Sequence, residues 1–189
     1  MKIIRQVSLL LLISLIVAEI DAQQRYKLDT ILVQEFLEWK FNSMYHGNGN
    51  ICNNTLPVGS DFFDCTPTEY YNGKPTIPPV TKGIACRYLN SKDLMYMKGQ
   101  INATKNVRLD SFEYLKSNFK LINCDSITTR IVTHQFSIPL FSIDKKTALL
   151  VYSDETSNSA GESYHIELYK KDDQNKWRFF VELFRSESD

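Results

Sequence analysis

The chain reads as an α+β fold in which N-terminal helices pack on a C-terminal antiparallel β-meander, and three observations lead there. Apolar residues recur at helical spacing between Leu28 and Phe41. A middle stretch from His46 to Gly83 is punctuated by glycine, proline and asparagine. From Ile127 onward the pattern changes to β-branched and aromatic runs separated by polar turns. Helices first and strands afterwards is the order that places helices against one face of a sheet.

Before the first element stands an export signal. Lys2 and Arg5 precede an uncharged run dominated by Leu, Ile and Val, and Ile20-Asp21-Ala22 closes it ahead of Gln23. A basic start, a short apolar stretch and a small residue at the cut form the grammar of a cleavable signal peptide, here residues 1–22. A membrane anchor would need about 20 apolar residues, and Glu19 and Asp21 interrupt this run. Residues 23–189 then form a single α+β domain with no membrane span, expected in the periplasm or secreted.

Lys2 and Arg5 leave together with Glu19 and Asp21, so the balance of 22 basic and 22 acidic residues persists after cleavage. A neutral chain lacks the basic footprint that phosphate backbones require, which argues against a nucleic-acid partner.

Within the domain, Leu28, Ile31, Leu32, Phe36 and Trp39 fall on one helical face. The loop-rich segment 46–83 resists helix and long strand alike. It is long for an unstructured connection, and Cys52 and Cys65 are expected to tie it down. A second helix is expected from Ser91, as cap, to about Ile101. A short third one follows at Asp110 to Phe119, where Asp110 and Glu113 stand at capping-box spacing. Strands are expected at Ile131–Phe141, Ala148–Tyr152, Tyr164–Tyr169 and Trp177–Phe184.

Four cysteines lie beyond the signal: Cys52, Cys65, Cys86 and Cys124. An even count in an oxidising compartment favours two disulfides, with three pairings open. No closely spaced C-x-x-C pair is present, so no metal site is expected from them, and no cofactor motif accompanies them.

The run Phe136-Ser137-Ile138-Pro139-Leu140-Phe141-Ser142, with Asp144-Lys145-Lys146, Ala148-Leu149-Leu150-Val151-Tyr152, Leu168-Tyr169-Lys170-Lys171 and Asn175-Lys176-Trp177, resembles the C-terminal half of a group of uncharacterised exported proteins of Bacteroidetes-type bacteria. Ser91 to Gln100 is similar to the helix that precedes their sheet. The resemblance implies export but no reaction. Where many relatives carry a Cys- and Gly-rich hairpin, this chain has Glu155 to Glu162 instead. The element order is also similar to the NTF2-like or cystatin-like architecture, which hosts many functions.

Candidate chemistry is sparse. His134 shares strand parity with Val132, Phe136 and Ile138, placing it on the apolar face, where an NTF2-like sheet would wall a pocket. It is the one candidate catalytic base, although no adjacent partner completes a pair, and a satisfied core histidine is the favoured reading. His165 is expected at the solvent. Asp154, Glu155, Glu162, Asp172 and Asp173 read as solvated turn residues, because no calcium-loop periodicity accompanies them. The rings of Phe62, Phe63, Tyr70 and Tyr71 could stack on a ligand, but buried rings that pin the loop are favoured. G-x-S-x-G, phosphate loops and H-E-x-x-H are absent. The balance favours a non-enzymatic domain that binds a small molecule, a glycan or a protein of the cell envelope. The alternative is a small secreted hydrolase or isomerase with a His134-centred pocket.

Overall fold

The computed structural model describes residues 26–44, 50–65, 70–71, 74–75, 82–124, 133–155 and 162–187. The expected signal peptide lies outside them. The chain is α+β, with helices α1 (Thr30–Met44), α2 (Ser91–Thr104) and α3 (Glu113–Asn118). Its strands are β1 (Asn50–Cys52), β2 (Tyr70–Tyr71), β3 (Lys74–Pro75), β4 (Leu121–Ile122), β5 (Thr133–Phe136), β6 (Leu140–Phe141), β7 (Thr147–Glu155), β8 (Glu162–Lys171) and β9 (Trp177–Glu187). Among the described helices none is long and apolar enough to cross a membrane.

The expected C-terminal meander forms, since β5, β7, β8 and β9 pair antiparallel in that order. It belongs to a larger mixed sheet in the order β4-β1-β5-β7-β8-β9, with β6 paired to β7. Strand β1, a three-residue strand drawn from the segment expected to resist helix and long strand, lies parallel to both β4 and β5. Two residue pairs to each neighbour suffice there because the Cys52–Cys124 disulfide fastens β1 beside the end of β4. The expected strand Ile131–Phe141 is split, and residues 131 and 132 lie outside the described set. Between β5 and β6, Ser137 replaces ladder pairing, its N–H donating to Val151 O at 2.8 Å and its Oγ accepting from Val151 N at 3.0 Å.

The helices occupy both faces of the sheet rather than one. Alternate residues explain this: Ala148, Leu150 and Tyr152 join α1 residues Val33, Phe36, Leu37 and Phe41 in one buried cluster. Leu149, Val151, Ile166 and Leu168 join Phe62, Phe63, Leu94 and Met97 in another. The continuous run Ala148 to Tyr152 is therefore apolar on both sides because both sides are covered.

Local chemistry sets the ends of the elements. The Asp29 carboxylate accepts from Leu32 N at 3.1 Å, capping α1. Asn90, not Ser91, caps α2: its Oδ1 accepts from Lys92 N and Asp93 N, each at 3.0 Å. The expected Asp110–Glu113 capping box does not form; Phe112 precedes α3, and no side chain caps it. Asp110 is occupied by Arg108 at 3.0 Å.

Two of the hairpins turn on a left-handed residue, Lys145 (φ 59°) between β6 and β7 and Asn175 (φ 61°) between β8 and β9. Asn tolerates this region well.

The loop-rich segment is anchored as expected at Cys52 and Cys65, the latter bonded to Cys86. Gly83 allows that closure. Its φ is 65°, and a Cβ there would sit 2.7 Å from the Asp64 carbonyl oxygen.

Candidate functional site

Under α1 the sheet presents a polar group inside an aromatic wall. Lys40 follows Phe36 by four residues and so lies on the buried stripe of the helix. It is 4% exposed. Its ammonium donates to Glu167 Oε2 at 3.1 Å and to the Tyr169 hydroxyl. The Tyr169 hydroxyl donates to the same carboxylate oxygen, and the Tyr152 hydroxyl donates to Glu167 Oε1 at 3.1 Å. Both carboxylate oxygens are thereby satisfied, as a buried charge requires.

The ammonium also lies 4.9 and 4.7 Å from the ring centres of Tyr152 and Tyr169. Burial pushes the Lys40 pKa below the ordinary lysine range, against the pull of Glu167. Burial pushes the Tyr152 phenol well above its ordinary value, and the charge of Glu167 adds to the effect.

Next to this group lies His165, which is 6% exposed and not at the solvent as expected. Its ring stacks on Tyr152 at 4.5 Å, with the planes 6° apart, and its Nδ1 meets Glu182 Oε1 at 2.8 Å. The pairings Tyr152↔His165 and Glu167↔Glu182 place all four on the α1 face.

Farther along that face His134 and Asp154 are cross-strand partners, with Nδ1 2.6 Å from Asp154 Oδ1. His134 does share a face with Phe136, as its parity required. It sits part-buried at the margin of the apolar cluster, and its partner comes from β7. Asp154 is thus a strand residue with a specific contact, whereas the expected turn role holds for Asp172, which accepts from Gln174 N and Lys176 N at 2.9 Å.

A separate feature flanks the other end of α1. An open groove of about 650 Å³ is lined by Leu28, Ile31, Val107 and Phe112, with Arg108 and Glu113 at its rim. Ile31, expected on the buried stripe, is 82% exposed. The floor is held by Leu109 N donating to Asn53 O at 2.9 Å and by Thr55 Oγ1 donating to Val107 O at 3.0 Å.

The other sequence candidates separate. Phe62 and Phe63 are buried in the α2-side cluster, where they pin the loop, the use favoured over ligand stacking. Tyr70 and Tyr71 form β2, paired with β3, and their side chains lie outside the described set. All four cysteines are in disulfides, Cys52 with Cys124 and Cys65 with Cys86.

The charged residues of the polar group, Lys40, Glu167 and Glu182, were not singled out from sequence, nor were the roles of Tyr152 and Tyr169. A usable signal existed for Lys40, a cation at an i+4 step from Phe36 on the apolar stripe. The chain matches no protein-family model, and no curated protein or solved structure matches it significantly.

Proposed function

We propose that this chain is an exported, non-enzymatic domain that binds a protein partner through the groove beside α1. The observation that carries the reading is Ile31, a large apolar side chain left almost fully exposed at the lip of an apolar floor. An apolar centre with a polar rim is the anatomy of a protein contact. The rim also indicates the partner's charge. Arg108 is engaged by Asp110, so Glu113 leaves the rim net acidic. A segment offering apolar side chains beside a Lys or Arg complements it. Two disulfides and the resemblance to exported proteins support a periplasmic or secreted location.

The test is a random-peptide display selection against the full chain, purified with its disulfides intact. Enriched peptides should combine apolar side chains with Lys or Arg, and lose at least tenfold in affinity against Ile31→Glu while binding Phe179→Glu normally. Peptides indifferent to Ile31→Glu would refute the groove as the binding surface.

One observation favours a second reading, the 2.6 Å contact that lets Asp154 orient His134 as an acid–base catalyst. Under it, the chain should turn over one member of an ester, glycoside and ketone panel, and His134→Gln should abolish that turnover with folding intact. A panel with no turnover, or turnover that survives His134→Gln, counts against it.

A further inference from the structure

We propose that His165, Glu167 and Glu182 form a binding site for a divalent metal ion of the zinc class, clamping β8 to β9 under α1. The inference is independent of the groove. Each residue offers a ligand atom, and these atoms lie within 4.8 Å of one another. Ligands of a tetrahedral zinc, bonded at about 2.0–2.2 Å, stand roughly 3.5 Å apart. A rotamer adjustment of one side chain closes the difference. Glu182 is the residue able to make it, since it stands at the exposed side of the group while His165 and Glu167 are buried.

Two features set the group apart from a solvated acidic cluster. First, His165 and Glu167 are 6% and 7% exposed, and both are already aimed. Tyr152 fixes the imidazole plane by stacking, and Lys40 and Tyr169 hold Glu167 by its Oε2. Among the described residues Glu167 Oε1 is bonded by the Tyr152 hydroxyl, a rotor that can turn aside. Support of this kind for the ligand residues is what metal sites require.

Second, Glu167 and Glu182 are directly opposed across the β8–β9 ladder, beside a register shift between Ile166 and Glu167. Like charges opposed in register destabilise a sheet, and bulges re-aim side chains at functional positions. Lys40 reaches Glu167 from the helix side, and Arg185 is bonded to Glu187. A cation between the two carboxylates removes the repulsion along the strand pair itself.

One imidazole and two carboxylates suit zinc and its first-row neighbours. Calcium prefers six to eight oxygen ligands, and this set does not supply them. Three protein ligands leave a fourth position for water.

The experiment is calorimetric titration of the metal-stripped full chain, disulfides intact, with zinc chloride and separately with calcium chloride, alongside thermal unfolding. One zinc per chain should bind and raise Tm, and calcium should not compete. Glu182→Gln, at the exposed ligand, should weaken zinc at least tenfold, and Glu182→His, which keeps a ligand, should retain it. His134→Asn should leave binding unchanged. No zinc binding below about 100 µM, binding insensitive to Glu182→Gln, or binding lost in His134→Asn would each overturn the site.

Discussion

The two faces of the sheet are built from the same two strands, β7 and β8, by opposite chemistry. On the α2 side Leu149, Val151, Ile166 and Leu168 meet Phe62, Phe63, Leu94 and Met97, and every buried member of the cluster is apolar. On the α1 side the neighbouring residues Tyr152, Glu167 and Tyr169 meet Lys40, and His165 stacks on Tyr152. A dry apolar layer supplies stability from any well-filled packing. A buried polar group supplies stability only while every member keeps its partner. The α1 face is therefore the conditional half of the molecule, and the candidate sites lie on it or at its end.

Removing one member of the polar group should produce the largest effect. Lys40→Met leaves Glu167 buried without its cation and should cost about 4 kcal/mol in denaturant unfolding. Lys40→Met combined with Glu167→Leu should recover most of the loss, because the pair then becomes apolar. A single-variant cost below about 1 kcal/mol would show that the α1 face tolerates an unpaired carboxylate, and the contrast between faces would fail.

Leu168→Ala on the opposite face should cost about 3 kcal/mol through lost burial and a residual cavity. No second substitution of a polar residue should rescue it.

The smallest effect is acid sensitivity. The Asp29 carboxyl is held below its ordinary range by its bond to Lys145, and Asp144 by its bond to Ser142. A group whose folded pKa is depressed stabilises above its unfolded value and loses that contribution as pH falls through the folded one. Thermal stability should therefore decline as pH falls below about 4. Asp29→Asn should shallow that decline, since Asp29 both caps α1 and bonds Lys145 at 2.6 Å. An unchanged acid limb in this variant would remove Asp29 from the account.

Much of the scaffold was legible from sequence, for physical reasons that also mark where legibility stops. Helices α1 and α2 and strands β7, β8 and β9 follow from local periodicity, which any single segment displays. Strands β1 and β4 do not, because three- and two-residue strands have no period, and their pairing depends on partners far along the chain.

The run Ala148 to Tyr152 carried the sign of a sheet covered on both faces, yet the element order suggested coverage of one. His165 was expected at the solvent because it alternates with Tyr164 and Ile166 and shares strand parity with Glu167. Its partners, Tyr152 and Glu182, come from two other strands, and no spacing within β8 encodes them. The His134–Asp154 pair is hidden in the same way, 20 residues apart in sequence and opposite in register.

The groove tests the functional claim most directly, through amide chemical-shift mapping of the isotope-labelled chain titrated with a selected apolar and basic peptide. The account predicts perturbations centred on Leu28, Ile31, Val107 and Phe112, with Leu149 and Leu168 on the α2 side unmoved. Shifts centred on β9 or on the Phe62–Phe63 segment, with Ile31 silent, would contradict it.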